Sequence, residues 1–422
     1  MTNPIRNLAS SRQQGGAGGV YSVCSAHPLV IEAAMHQALE DGTVLLIEAT
    51  SNQVDQFGGY TGMRPGDFRE FVNAIASRVS FPIERIVLGG DHLGPNPWRD
   101  RPAEEAMKLA EELLASYASA GFLKLHLDAS MSCGGDPERL ADEIVAQRAA
   151  RLCRAAEAAA GGAQIVYVIG TEVPVPGGAA EALEHVEVTS TDAARHTLDV
   201  HQGAFSDAGL QDAWSRVIAM VVQPGVEFDH TSVIDYVPSA ATGLARLLDE
   251  QSQIVFEAHS TDYQKGQALA DLVRDGFAIL KVGPGLTFAL REALYALAEI
   301  EGALIAPQKR SRLPEVVEEV MLDKPANWER YYHGAAAHQK LLRVYSYSDR
   351  VRYYWNDETI EEATRRLLEN LSSTELPENV VSQFLPNQYL AIREGRLACD
   401  ARALVIDRVR DALRPYAAAC RT

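Results

Sequence analysis

Eight short apolar runs in this chain each end in a residue that can carry charge, move a proton or hold a metal ion. These are His27, Glu48 with Thr50, Asp91 with His92, Asp128 with Ser130, Glu172, Glu227, His259 and Lys281. Singly, each reads equally well as a helix cap or a loop residue. Ringed around one opening, so many charges are costly to desolvate unless they hold a metal ion or a polar ligand. The sharpest local signal is Gly89-Gly90-Asp91-His92-Leu93-Gly94-Pro95. Its glycines admit a close backbone approach, Asp91 can move a proton, and His92 can ligate a metal. The plainer alternative is a capping Asp91 beside a packed His92.

In Leu125-His126-Leu127-Asp128-Ala129-Ser130, strand periodicity puts His126 and Asp128 on one face. That predicts a hydrogen-bonded pair, near the site or stiffening the interior. A Pro-rich loop, Gly170 to Gly178, presents Glu172, while Glu227, Asp229 and His230 follow Gln223-Pro224-Gly225. His92, Glu227 and His259 together suit a divalent ion with positions open to substrate oxygens, and His230 reads as a surface residue. Asp91, Glu172 and Asp128 are the expected catalytic groups. Lys281-Val282-Gly283-Pro284-Gly285-Leu286-Thr287 ends a strand and opens a helix, where barrels often hold phosphate. Gly283, Gly285, Thr287, Ser260, Thr261 and Lys281 are therefore expected substrate contacts, with His27, Glu48 and Ser130. Arg343 to Trp355, dense in Arg and aromatics, reads as packing or an interface ahead of a phosphate clamp. There is no GxxxxGK[ST] loop and no kinase signature set, so a kinase is not expected.

The elements that must position these residues alternate. Strand-like runs are Val20–Ala26, Val44–Ala49, Ile86–Gly89, Lys124–Leu127, Ile165–Ile169, Val217–Val222, Ile254–Ala258 and Ala278–Val282. Their continuous apolar character suits parallel strands buried on both faces. Helix-like stretches such as Ala103–Ala120, Pro137–Ala160, Lys265–Asp275 and Leu286–Glu301 lie between them. Eight such units predict an α/β fold, a closed (β/α)₈ barrel over 20–305, with its chemistry at the C-terminal strand ends. A doubly wound open sheet is the alternative, but no Gly-rich dinucleotide fingerprint marks one. Residues 1–19, Gly- and Gln-rich, read as a flexible N-terminal arm. Residues 306–422 read as a helical C-terminal extension through Glu315–Leu322, Ile360–Leu368 and Ala401–Tyr416.

Bulk properties exclude some functions. With 47% apolar residues, 422 residues can bury a large core. A formal charge of −18 repels nucleic acid and anionic membranes. The five cysteines are scattered without a CxxC pair, as in a reducing cytosol. No apolar run approaches the roughly 20 residues that span a bilayer. A cytoplasmic protein is expected.

Several stretches together resemble a known family. They are Ala49–Val54, Gly58–Met63, Gly89–Pro95, Leu127–Cys133, Gly170–Gly178, Val222–His230, Phe256–Tyr263, Lys281–Arg291 and Tyr345–Trp355. Over Val20 to the C-terminus the chain is similar to the so-called non-catalytic subunit of class II tagatose-bisphosphate aldolases. That family includes ketohexose-phosphate 4-epimerases and proteins labelled tagatose 6-phosphate kinases. The resemblance extends to catalytic class II aldolases, which are zinc-dependent barrels. It implies that Asp91 is the catalytic acid, that His92 and His259 are metal ligands, and that the cofactor is a divalent metal, zinc in the relatives. The chain departs from the aldolases where Ser260-Thr261-Asp262 replaces glycines and Glu227 replaces a histidine. The implied function is epimerisation of D-tagatose 6-phosphate to D-fructose 6-phosphate at C4; the alternative is a stabilising, non-catalytic aldolase subunit. The implied partners are a phosphorylated ketohexose, a class II aldolase catalytic subunit and, left open, further copies of this chain.

Overall fold

The computed structural model describes residues 3–14, 18–171, 173, 179 and 186–421. Eight parallel strands close on themselves: β1 (Val20–Val23), β2 (Leu45–Thr50), β3 (Ile86–Leu93), β4 (Lys124–Leu127), β5 (Val166–Ile169), β6 (Val217–Val221), β7 (Val255–Ala258) and β8 (Ile279–Val282). Each strand pairs with its sequence neighbours, and β8 pairs back onto β1. The expected (β/α)₈ barrel is what forms.

The helices bury the stripe that their sequence spacing marks. Ala103–Ser119 buries Ala106, Met107, Ala110, Leu113, Leu114 and Tyr117, one face at intervals of three and four. These faces pack outside the strands in one continuous core. Inside the barrel a second apolar cluster forms the floor, with Leu46, Val87, Val166, Ile218, Val255 and Ile279. The upper interior is charged.

Two terminal segments complete the floor and the rim. The N-terminal stretch, expected to be loose, is docked over residues 3–14. Asn3 Nδ2 donates to the carbonyls of Leu123 (2.8 Å) and Gln164 (3.3 Å), and Ile5 is 1% exposed within the floor cluster. The apolar pair Ile5 and Ala9, easily overlooked among polar neighbours, stoppers the barrel's N-terminal end. At the other end of the chain, the helix Ala401–Cys420 packs against Pro28–Asp41, Gly266–Arg274 and Pro284–Leu304. Among the described residues no helix is long and apolar enough to cross a membrane.

Candidate active site at the barrel mouth

The Gly-Gly-Asp-His motif works through a bulge. The pairing register of β3 on β4 shifts between Gly90 and Leu93, and His92 takes a left-handed φ of 49°. On a regular strand Asp91 and His92 would face opposite ways. With the bulge both turn inward, an arrangement bulges commonly make beside active sites. Gly89 solves a second problem. It is the register partner of both Glu48 and Lys124. A Cβ there would lie 2.4 Å from Glu48 Oε1. Without it, Glu48 reaches across β3 to Lys124 Nζ at 2.6 Å.

From there a fully buried charge network spreads across the barrel. Lys124 Nζ lies 2.7 Å from Glu257 Oε2. Lys281 contacts Glu48 and lies 3.1 Å from Asp91 Oδ2. Ser22 donates to Glu48 at 2.8 Å. Above it sit three imidazoles, with His92 and His259 ring centroids 4.9 Å apart and His126 5.3 Å from each. The expected His126–Asp128 pair does not form. The partners are crossed: His126 Nδ1 meets Asp91 at 2.9 Å, and His92 Nδ1 meets Asp128 at 2.9 Å. The bulge brings the β3 side chains of Asp91 and His92 within hydrogen-bonding reach of the two β4 residues. Ser130 Oγ in turn donates to Asp128 at 2.7 Å.

Protonation follows from these contacts. Burial opposes ionisation of Asp91, but the His92 and His259 imidazoles and the His126 hydrogen bond outweigh it. Its carboxyl is held well below the usual range. Burial likewise opposes charge on His92, yet Asp91 and Asp128 beside it push it up to about 9. Burial dominates at His259, which is lowered and therefore neutral, and at Lys281, lowered to about 8.

The donor set suits a divalent ion. Ligand atoms of Asp91, His126, Glu257 and His259 all lie within 4.8 Å of one another. Two imidazoles with two carboxylates form a set common to zinc and other first-row metals. His126 Nε2 is buried with no hydrogen-bond partner. His92, fixed by Asp128, lies against this quartet. Glu227 is not part of it: its carboxylate turns back to the Phe228 N–H at 3.0 Å and bonds Ser260, and burial pushes it up to about 7. Glu172 lies outside the described residues.

A small chamber of about 80 Å³ opens above the network, lined by Asp91, His92, His259, Ser260, Asp262, Lys281, Arg352 and Tyr353 among others. It adjoins a wider cavity of about 490 Å³ beneath the extension, with Cys24, Gln53, Tyr60 and Arg352 on both walls. His27 lines the wider cavity and caps the helix Pro28–Asp41, its Nδ1 accepting from Leu29 N at 3.2 Å. The helix N-terminus where phosphate was expected holds a carboxylate instead. Asp262 Oδ1 accepts from Gly283 N (2.9 Å) and Gly285 N (2.7 Å), so these donors are taken. Thr261 Oγ1 donates to the Lys281 carbonyl and Thr287 Oγ1 to that of Pro284, both within the scaffold.

The extension supplies part of the wall. Tyr347 N donates to the His230 carbonyl at 3.0 Å, and His230 Nε2 meets the Tyr331 carbonyl at 3.1 Å. His230 is thus an anchor between barrel and extension, not the surface residue its loop position suggested. Arg291 pairs with Asp349 at 2.9 Å, fully buried. These contacts present Arg352 and Tyr353 to the chamber.

Lys124, Glu257 and Arg352 are the functional neighbours that sequence reasoning missed. The first two had a signal. Lys124, His126 and Asp128 share strand parity, as do Glu257 and His259, so inward-facing histidines marked inward-facing charges at i−2. Arg352 had none beyond its Arg-rich surroundings.

A closed parallel barrel whose acids, lysines and histidines converge at its C-terminal mouth defines a (β/α)₈ protein with a buried, charged centre beneath a pocket. The chain belongs to the D-tagatose-1,6-bisphosphate aldolase subunit GatZ/KbaZ-like family, whose model matches residues 5–421. A crystal structure described as a probable tagatose 6 phosphate kinase from Sinorhizobium meliloti 1021 is 52% identical. It covers 95% of this chain and 100% of its own, with a TM-score of 0.89. The YdjI aldolase of Escherichia coli K12 matches at 10% identity and a TM-score of 0.42, over 86% of this chain and 96% of that one. The fructose-bisphosphate aldolase of Campylobacter jejuni matches at 12% and 0.42, over 87% and 90%.

Proposed function

We propose that this chain works as a subunit of a class II tagatose-bisphosphate aldolase system, with a phosphorylated ketohexose as its ligand. The observation that carries this reading is the family match across nearly the whole chain. The kinase description of the Sinorhizobium relative finds no support in motifs of this sequence.

A second reading has its own observation, the complete buried acid–base centre. A subunit that only stabilised a partner would not need four carboxylates, two lysines and three histidines beside a cavity. In this reading the chain itself converts D-tagatose 6-phosphate to D-fructose 6-phosphate. Direct proton exchange at C4 is unfavourable, because that C–H is not adjacent to the carbonyl. Opening the C3–C4 bond is the easier route. Asp91, ionised and 3.1 Å from Lys281, accepts the C4 hydroxyl proton and gives it back to O4 when the bond re-forms. The C3–C4 bond then opens to a three-carbon enediolate and an aldehyde carrying the phosphate. The aldehyde rotates and the bond closes on its other face. Asp128 holds His92 in place, Lys281 balances charge near the enediolate, and Glu172 is a further acid–base candidate. Asp91, His126, Glu257 and His259, with His92 beside them, would hold a divalent ion. Bound there, it would supply Lewis-acid polarisation of the ketose oxygens.

The test separates the readings. The purified chain is incubated alone with D-tagatose 6-phosphate, and fructose 6-phosphate is followed. A class II aldolase catalytic subunit is then assayed with and without the chain. Turnover alone supports the epimerase. No turnover, with a rise in aldolase activity or half-life, supports the subunit. Neither effect removes both.

A further inference from the structure

The cations lining the two cavities are unequal. Arg78 and Arg402 both pair with Glu32, at 2.7 and 2.6 Å, Arg365 pairs with Glu369 at 2.5 Å, and Lys281 is held by Glu48 and Asp91. Arg352 is the exception among the described residues. Its guanidinium bonds the Ser348 and Asp349 carbonyls and the Tyr353 hydroxyl (3.0 Å), all neutral, and forms no ion pair. It is half-buried and lies on the wall of both the chamber and the wider cavity. A half-buried guanidinium whose hydrogen bonds all go to neutral groups has lost part of its hydration without gaining an ion pair, and an anionic ligand repays that cost.

The second observation concerns the other place an anion would go. At the N-terminus of the helix Pro284–Leu304, Asp262 fills the backbone nest by bonding Gly283 and Gly285. A dianion cannot share those donors with a carboxylate. The chain has its own anion in one site and leaves an unpaired cation at the other.

We propose that Arg352 anchors the terminal phosphate of the ligand, so that a phosphorylated ketose lies with its reacting carbons toward Asp91 and its phosphate beneath the extension. The assignment rests on reading the mouth as a ketose-phosphate site. It also gives the extension a role in the reaction cycle. An aldehyde half that must rotate without escaping stays tethered at its phosphate, away from the bond that re-forms.

Binding tests this without turnover. Calorimetric affinities for D-tagatose 6-phosphate and D-tagatose are compared in wild type, Arg352→Gln, Arg352→Lys and Asp262→Asn, each checked for a native melting transition. Arg352→Gln is expected to weaken the phosphorylated sugar on the order of 10–100-fold, the range of a lost charge-assisted contact, and to leave D-tagatose unchanged. Arg352→Lys is expected to keep much of the difference. Equal losses for both sugars, an undiminished affinity for the phosphate ester in Arg352→Gln, or no wild-type preference for the phosphorylated sugar would each overturn it. So would an Asp262→Asn variant whose gain in phosphate-ester affinity persists when combined with Arg352→Gln. If the ester binds through Arg352 but is not converted, the anchor stands and the epimerase reading fails.

Discussion

Lys124→Met is the most informative perturbation of the interior. Lys124 is fully buried, 2.6 Å from Glu48 and 2.7 Å from Glu257, both also fully buried. The cluster holds four carboxylates (Glu48, Asp91, Asp128, Glu257) against Lys124, Lys281 and a protonated His92. Methionine keeps the length but removes a charge, leaving Glu48, Glu257 and Asp91 to share Lys281, which is 3.9 Å from Glu257 and 3.1 Å from Asp91. Breaking a buried ion pair from one side typically costs about 3–5 kcal/mol, because the remaining charge is stranded. A chain this large shifts its melting temperature by roughly 2 °C or less per kcal/mol, so a drop on the order of 5 °C is expected. The assay is thermal and urea unfolding followed by circular dichroism at neutral pH. Adding Glu257→Gln restores the balance, and the double variant is expected to recover at least half the loss, a coupling that distant sites do not show. A Lys124→Met variant within about 1 kcal/mol of wild type, or strictly additive losses in the double variant, would refute the charge-network argument.

Gly89→Ala is expected to destabilise the same network from the backbone side, since its Cβ would lie 2.4 Å from Glu48 Oε1; Glu48→Ala in the same chain relieves the clash, and the pair measured by unfolding checks it. Burial raises Glu227 to about 7 in the folded chain, against an ordinary 4.5, so its favourable contribution is full below 4.5 and lost as pH rises through 7. Glu227→Gln should therefore gain on wild type between pH 5 and 8, by on the order of 1–3 kcal/mol; a gap that does not widen in urea titrations shows that the carboxylate is ionised or ion-bound. If the chain is an epimerase, Asp91→Asn lowers kcat on the order of 10²–10⁴ with little change in fold, measured by fructose 6-phosphate release. Zinc or manganese added to chelator-treated protein is expected to raise the melting temperature, and His259→Ala to lower bound metal measured by elemental analysis; an unchanged metal content in that variant removes the quartet as the site.

The sequence by itself determined the barrel and its polarity. Eight continuous apolar runs alternating with amphipathic stretches call for parallel strands covered by helices, the missing dinucleotide fingerprint favours closure over an open sheet, and Asp91, His92, Asp128, His259 and Lys281 at strand ends converge because parallel strands all end at one mouth. The family was legible too, since its motifs are long. Partnerships within the site were not. Strand parity groups His126 with Asp128, but the left-handed turn at His92 shifts the register and exchanges the partners, and no periodicity encodes a bulge. Asp262 as the occupant of the helix N-terminus depends on two loops 21 residues apart meeting in space, and Arg352 as an unpaired cation at the mouth depends on the extension folding back over the barrel. An isolated residue type states which chemistry is available; only the folded neighbours, by burying it and by supplying or withholding a counter-charge, decide whether that chemistry is spent on the scaffold or left open to a ligand.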